Sequence, residues 1–401
     1  MSGYDDELNN IETQNNIPED LVISGLMGIV PVASDDILAV ATSSSGLIAV
    51  GGLDETVYLL DGAGSNIATF AGCHKESVTA VTFSRCGRYV FSGGLDGKVN
   101  CFDTNTLQLV GSIEGPTAIE WLTLFSRKNR LVVGSDDGTV WFFDFTQPTT
   151  PLIGAVIAGQ VGAITCGAVI KNNRFVVGSQ DGTVRLIDPT QVATGRSTIL
   201  GSIQLGAGVI CLRFLPSHNG SPQALGQAVI GCEDGSLYLL TLSERGIAIV
   251  STVHDHEGSI EFVEIYEKYL IAGGTDGNVI IYDLQHSLSL RCALHLAVSC
   301  TQAVCTKNGV IFIGMSNGVV AAFDIRSGNK LFEFDAFLAN KQLEREADKP
   351  VLALALYREE EAILVGGDQA LVMWATNPEA YDEGESVDVS TTDEEIGEQP
   401  M

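Results

Sequence analysis

A thirteen-residue phrase recurs along this chain at nearly constant spacing, and such a repeat constrains the architecture before any local pattern does. It reads "AVGGLDETVYLLD" from Ala49, "FSGGLDGKVNCFD" from Phe91, "VVGSDDGTVWFFD" from Val132 and "VVGSQDGTVRLID" from Val176. Four more copies follow: "VIGCEDGSLYLLT" from Val229, "IAGGTDGNVIIYD" from Ile271, "FIGMSNGVVAAFD" from Phe312 and a decayed "LVGGDQALVMW" from Leu364. Their first glycines are Gly51, Gly93, Gly134, Gly178, Gly231, Gly273, Gly314 and Gly366, at intervals of 42, 41, 44, 53, 42, 41 and 52 residues. The two long intervals mark insertions.

Each copy alternates apolar and polar residues, turns, and alternates again, which is the pattern of two strands joined by a hairpin. Between Ala71 and Gly115 a whole unit is visible as "SVTAVTF", "RYVFSGG", "KVNCFD" and "LQLVGSIEG". Four antiparallel strands in about 42 residues make one propeller blade. The expected fold is therefore all-β, an eight-bladed propeller over residues 21–376. The last unit offers only "VLALALY", "EAILVGG" and "ALVMWAT"; the strand it lacks is available in "DLVISGLMGIV" (Asp20 to Val30). Closing the ring with that N-terminal strand also removes an open sheet edge.

Outside this array, residues 1–20 carry six acids and residues 377–401 nine, with no base in either; both segments are expected to be acidic, disordered tails. The whole chain has a net charge of −28, and the fifteen tail acids still leave −13 for the propeller. Such a body repels nucleic acid and anionic membrane and attracts basic partners, although acidic tails also serve solubility alone. No apolar run is long enough to span a membrane, and the start "MSGYDDELNNIETQNN" lacks the character of a secretory leader. The nine cysteines form no Cys-x-x-Cys pair, which favours reduced thiols and a cytoplasmic setting over disulfides or zinc. A monomer is expected.

Asp96, Asp137, Asp181, Asp234 and Asp276 each precede a glycine, with Asn317-Gly318 in the seventh copy. Repeated acids can suggest paired catalytic carboxylates, but catalysis needs one constellation and these fall one per blade; they read as turn formers. Among the six histidines only His254 and His256 are clustered, without the further donors a metal requires. No phosphate loop or nucleophile elbow is present. No cofactor, metal or catalytic residue is assigned, and the chain is read as a binding protein.

In a four-stranded meander, the loop leading into the first strand and the hairpin between the second and third lie at one end. By analogy with other propellers that end is the docking platform. Its hairpin turns contribute Asp54, Glu55, Asp136, Glu233 and Asp368, and its lead-in loops Glu76, Glu114, Asp255 and Glu257. Lys75 and Lys98 are the clearest bases there. Each single exposed ion pair contributes only about 0 to 1 kcal/mol, so these acids would steer a basic peptide collectively. The "IEW" stretch adds Glu120 and Trp121; Trp121 reads either as a core aromatic between blades or as a partner contact. One insertion, roughly Pro189 to Gln227, contains "PSHNGSPQALG", whose Gly, Pro, Ser and Asn content marks a loop. The other, Phe334 to Pro350, suits a short, partly exposed helix around Phe337, Leu338 and Leu343.

"AGCHKESVTAVTFSRCGRYVFSGGLDGKVNCFD" resembles the WD-repeat family, with His74 near its Gly-His position and Asp96 at its turn Asp. Where that family has Trp-Asp, this chain has Leu60-Asp61, Phe102-Asp103, Phe143-Asp144, Ile187-Asp188, Tyr282-Asp283 and Phe323-Asp324, which removes an indole donor from the family's hydrogen-bond network. "HKESVTAVTFS", "EGPTAIEWLTLF", "RFVVGSQDGTVRLID" and "VGGDQALVMWATNP" are further similar to the family of the angio-associated migratory cell protein and its fungal relatives. That resemblance covers most of residues 21–378 and is poor across 189–228 and 325–350. It implies a ribosome-assembly chaperone that holds the basic N-terminal segment of one large-subunit ribosomal protein (L-ten type) on an acidic face, keeps it soluble and delivers it to pre-60S particles. The alternative is a general scaffold or a ubiquitin-ligase substrate receptor, suggested by a single "FDIR" (Phe323 to Arg326) that resembles a ligase-adaptor motif.

Overall fold

The second and third strands of each unit are near-continuous buried runs, as in Ile48–Gly52 and Val57–Leu60, so each sheet has two apolar faces, and standing the sheets radially around an axis buries both. A computed structural model describes residues 25–377 except 126–128, 171–173, 191–197, 217–223 and 338–348, and arranges them as eight four-stranded antiparallel sheets. The innermost strands are β2 (Ile37–Thr42), β6 (Val78–Phe83), β10 (Ile119–Leu124), β14 (Ile164–Ile170), β18 (Val209–Pro216), β22 (Ile260–Tyr266), β26 (Cys300–Cys305) and β30 (Ala353–Tyr357). Each packs against its neighbour in the next blade, and β30 against β2 completes the ring. Core clusters lie mostly between adjacent blades: Phe91, Phe143 and Phe145 meet Ile119 between blades 2 and 3, and Val140 and Phe142 meet Ile164 between blades 3 and 4.

The repeated first glycine marks where one blade touches the next. A Cβ on Gly51 would stand 2.5 Å from Val78 Cγ1, one on Gly178 2.4 Å from Val209 Cγ1, and one on Gly366 2.8 Å from Ile37 Cγ2. In each case a β-branched residue opening the next innermost strand fills the space that a side chain would need.

The eighth sheet has the order β1-β32-β31-β30, in which β1 (Leu26–Pro31) pairs antiparallel with β32 (Ala370–Ala375) outside β31 (Ala362–Gly366). The N-terminal strand thus closes the propeller as its sequence suggested. Leu26 enters a cluster with Phe334 and Trp374, whose rings stack at 3.9 Å, while Val30 packs toward blade 1.

At the far end of four blades, the Asp at the end of the third strand takes a base from the start of the second. The pairs are Arg88–Asp103 (3.1 Å), Arg130–Asp144 (2.9 Å), Arg174–Asp188 (3.2 Å) and Lys268–Asp283 (3.7 Å). This pairing holds the two strands together there, whichever residue stands in the aromatic position before the Asp.

The first insertion contributes strands: Ile199–Gln204 is the outer strand of blade 4, and Val209–Pro216 and Ala224–Cys232 are the first two strands of blade 5, on either side of residues 217–223 of the expected loop, which lie outside the described residues. In the second, Phe337 is 2 % exposed and packs into the cluster between blades 7 and 8. Leu338 and Leu343, and with them the expected helix, lie outside the described residues, as do residues 1–24 and 378–401.

Candidate protein-docking face

In five blades a turn carboxylate joins the lead-in loop to the hairpin turn of the same blade, and in blades 5, 7 and 8 backbone bonds such as Glu233 N to the Gly208 carbonyl do so. Asp54 accepts from the Ser34 amide (2.9 Å), Asp96 from Lys75 N (3.0 Å), Asp136 from Ala118 N (3.2 Å), Asp181 from Val161 N (2.8 Å) and Asp276 from Glu257 N (3.0 Å). Most of these carboxylates also cap their own turn, as Asp181 does through Thr183 N at 2.7 Å. The arrangement fixes the loops as a rigid rim.

Burial raises the Asp181 carboxyl, but hydrogen bonds from Val161, Thr183 and Ser179 outweigh it and bring the pKa to about 2. Burial likewise raises Asp276, and bonds from Asn278, Glu257 and His256 pull it below the ordinary carboxylate value. A group with a depressed folded pKa stabilises the fold above its unfolded value, near 3.8 here, and that contribution is lost as pH falls toward 2. The melting temperature is therefore expected to fall steeply below pH 4, and Asp181→Asn to flatten that fall. Thermal melts from pH 6 to pH 2 check this; equal slopes for both proteins would contradict it.

Blade 2 carries the fullest polar network. His74 Nδ1 donates to Asp96 Oδ1 at 3.0 Å, and Nε2 accepts from Ser92 Oγ at 2.7 Å and Asn100 Nδ2 at 3.0 Å. Asn100 supplies the N–H donor that the Phe at position 102 cannot. Blade 6 keeps His256 on Asp276 at 3.2 Å, yet Ala272 stands where blade 2 has Ser92, and His256 Nε2 is buried without a partner. Ala272→Ser is expected to stabilise the protein by about 1 kcal/mol by satisfying that nitrogen. An unchanged or lower midpoint in urea unfolding would count against it. In blade 8 Trp374 occupies the family's Trp position, but its indole N–H finds no partner. The network's members are thus scattered over several blades.

Several expected contact residues prove to be structural. Asp54 also binds the Tyr58 hydroxyl at 2.7 Å, and Asp136 is taken up by Thr117, Ser135 and Ala118. Asp368 is only 4 % exposed. Trp121 lies against Gly167 of β14, filling the junction of blades 3 and 4. These four thus have partners within the scaffold, and Asp136 remains exposed beside them. Glu55, Glu76, Glu120, Glu233, Asp255 and Glu257 are exposed and form no ion pair, whereas Glu114 pairs with Lys98 at 2.9 Å. The candidates taken from hairpin turns, lead-in loops and the "IEW" stretch did not include Glu261, which follows the first residue of β22 as Glu120 follows that of β10. The equivalent Thr79, Thr165 and Thr301 instead donate to carbonyls of the next blade. Aligning the copies on their innermost strands would have revealed it.

Few bases offset these acids. Lys349 pairs with Asp36 at 3.5 Å and Lys98 with Glu114, whereas Arg185, on the Ala158 carbonyl at 3.1 Å, and Lys75 are in no ion pair among the described residues. No group of three or more His, Cys, Asp or Glu poised to hold a metal occurs among the described residues. A cavity of about 1220 Å³ opens at the other end between blades 5 and 6, beside Arg213 and Glu264. Arg326 of "FDIR" is engaged by the Tyr266 ring, 5.0 Å away, and by Glu267 at 3.2 Å.

The family model "WD domain, G-beta repeat" matches residues 64–103 and 154–188, each stretch ending at the Asp that closes a third strand. Two curated relatives match short segments. Nuclear distribution protein PAC1-1 of Uncinocarpus reesii is 36% identical over 85 residues, 20% of this chain and 19% of its own length. Pre-rRNA-processing protein IPI3 of Meyerozyma guilliermondii is 29% identical over 119 residues, 25% of this chain and 26% of its own. The matched segments thus span about a quarter or less of those relatives. Among solved structures, Chaetomium thermophilum Sqt1 bound to the N-terminus of the ribosomal protein L10 superposes with a TM-score of 0.76 at 20% identity, over 88% of this chain and 100% of that one. The chain is an eight-bladed propeller with WD-type repeats, and its fold is similar to that of Sqt1.

Proposed function

We propose that this protein is a ribosomal-protein chaperone of the cytoplasm, which holds a basic N-terminal segment of a large-subunit ribosomal protein on its lead-in face until assembly. The observation that carries the reading is the set of exposed carboxylates Glu55, Glu76, Glu120, Glu233 and Glu257 on a rim where, among the described residues, only Lys75 and Arg185 are bases outside an ion pair. Such a field attracts and orients a cationic segment and masks its charge, which is what a basic protein needs to stay soluble away from RNA. The fold shared with Sqt1, solved with the L10 N-terminus, supports the partner class. A ligase-receptor role is less well served, because Arg326 is already engaged within the propeller.

Fluorescence anisotropy with a labelled peptide of the L10 N-terminus tests the proposal. Binding is expected in low salt and should weaken steadily as salt rises. No binding in low salt would sink it.

A further inference from the structure

The rim is not uniformly acidic. From Phe145 to Ile170 the chain contains no charged residue, although its net charge is −28. This stretch supplies the outer strand of blade 3 and the loop leading into blade 4. In that loop Val161 is 91 % exposed, the highest value of any large apolar residue described. Its position is fixed, since its amide donates to Asp181 and the preceding Gln160 is buried with its side-chain amide on the Thr183 carbonyl.

Equivalent positions, defined by an amide given to the turn carboxylate, are held by Ser34, Lys75, Ala118 and Glu257. Val161 is the one branched aliphatic among the five. Around it blade 4 offers no acid that is not already engaged: Asp181 is held by the Val161 and Thr183 amides, the one nearby base, Arg185, sits on the Ala158 and Gly159 carbonyls, Gln180 stands where blade 3 has Asp136, and the loop leading into blade 5 presents Gly206 and Ala207. On one side of this gap stand Glu55, Glu76 and Glu120 in blades 1 to 3, and on the other Glu233 and Glu257 in blades 5 and 6. A partner that was basic throughout would leave its charges over blade 4 unpaired and Val161 in water.

We infer that the docking face takes an extended segment in which an apolar residue, seated on Val161, lies between two basic clusters that meet the acids on either side. The inference rests on the docking reading above and specifies its partner. Charge supplies the approach, and the apolar contact supplies a component of affinity that salt does not screen.

Two synthetic 15-residue peptides of equal charge test it, each with a Lys/Arg cluster at both ends, one with Leu-Leu at its centre and the other with Ser-Ser. The Leu-centred peptide is expected to bind about five- to tenfold more tightly, the effect of partly burying an aliphatic pair. That preference should persist at every salt concentration at which binding is measurable. It should collapse in Val161→Ser and survive in Val161→Ile, while the salt slope stays the same in all three proteins. Equal binding of the two peptides, or an undiminished preference in Val161→Ser, overturns the inference and leaves the docking reading standing. If neither peptide binds in low salt, the docking reading fails and takes the inference with it. Sedimentation of the protein alone completes the test: self-association abolished by Val161→Ser would make the occupant a second copy of this chain and overturn the proposal.

Discussion

A chain beginning at residue 32 is expected to be insoluble, or to melt at least about 10 °C below the full chain. Without Leu26–Pro31 the eighth blade loses its outermost strand, and the edge of β32 is left open. Leu26 no longer covers Trp374 and Phe334, and Met27 and Val30 leave the cluster with Ile37 and Tyr357. Fully burying one large aliphatic side chain contributes about 1.5–3 kcal/mol, so losing several together approaches the entire stability of an ordinary domain. The damage would also spread, because a propeller with one weakened blade exposes an edge that pairs readily with other chains. Leu26→Asp combined with Val30→Asp in the full-length chain should reproduce the loss. A truncated protein that melts within about 2 °C of the full chain would show that β1 is not the closing element.

The second large effect concerns binding. Reversing four exposed carboxylates (Glu55→Lys, Glu76→Lys, Glu233→Lys and Glu257→Lys) is expected to weaken binding of the basic segment at low salt by about a hundredfold or more. Each lost pair contributes little by itself, but the sum, with the repulsion introduced, reaches about 3 kcal/mol. The same variant should melt within about 2 °C of the parent, because none of the four side chains holds the fold together through an ion pair. Asp54→Asn should behave in the opposite way. It weakens charge-assisted bonds to the Ser34 amide and the Tyr58 hydroxyl, destabilising the protein by about 1–3 kcal/mol while changing affinity little. If Asp54→Asn reduced binding as much as the fourfold reversal at unchanged stability, the division into scaffold acids and contact acids would be wrong.

That division is where sequence reasoning reached its limit. The spacing of Gly51 through Gly366 was enough to derive eight blades and a borrowed N-terminal strand, because a period of about 42 residues with alternating strands has one compact solution. The reason for those glycines was not legible in their own segment. Gly178 yields its side chain to Val209, thirty-one residues later and in another blade. Acids at the turns looked alike in the sequence, yet Asp136 is occupied by Thr117 and Ala118 whereas Glu233 is free. The difference depends on what the facing lead-in loop offers, a contact between segments some twenty residues apart. The long interval before Gly231 hid a strand for a related reason: the apolar residues of Val209–Pro216, which form the innermost strand of blade 5, stand directly before a Gly-, Ser- and Pro-rich segment. Val161 drew no notice because an isolated valine in an apolar stretch reads as core. Only the backbone bond to Asp181 shows that it is held outside.

Carbodiimide cross-linking of the full chain with the L10 N-terminal peptide tests the central claim most directly, because it joins lysines only to carboxylates they touch. Mass spectrometry of the digested product is predicted to place the peptide's lysines on Glu55, Glu76, Glu233 and Glu257, on both sides of Val161 and at one end of the ring. Cross-links concentrated on Glu244, Glu267 or Glu359 at the opposite end, or none above the level of a scrambled neutral peptide, would contradict it.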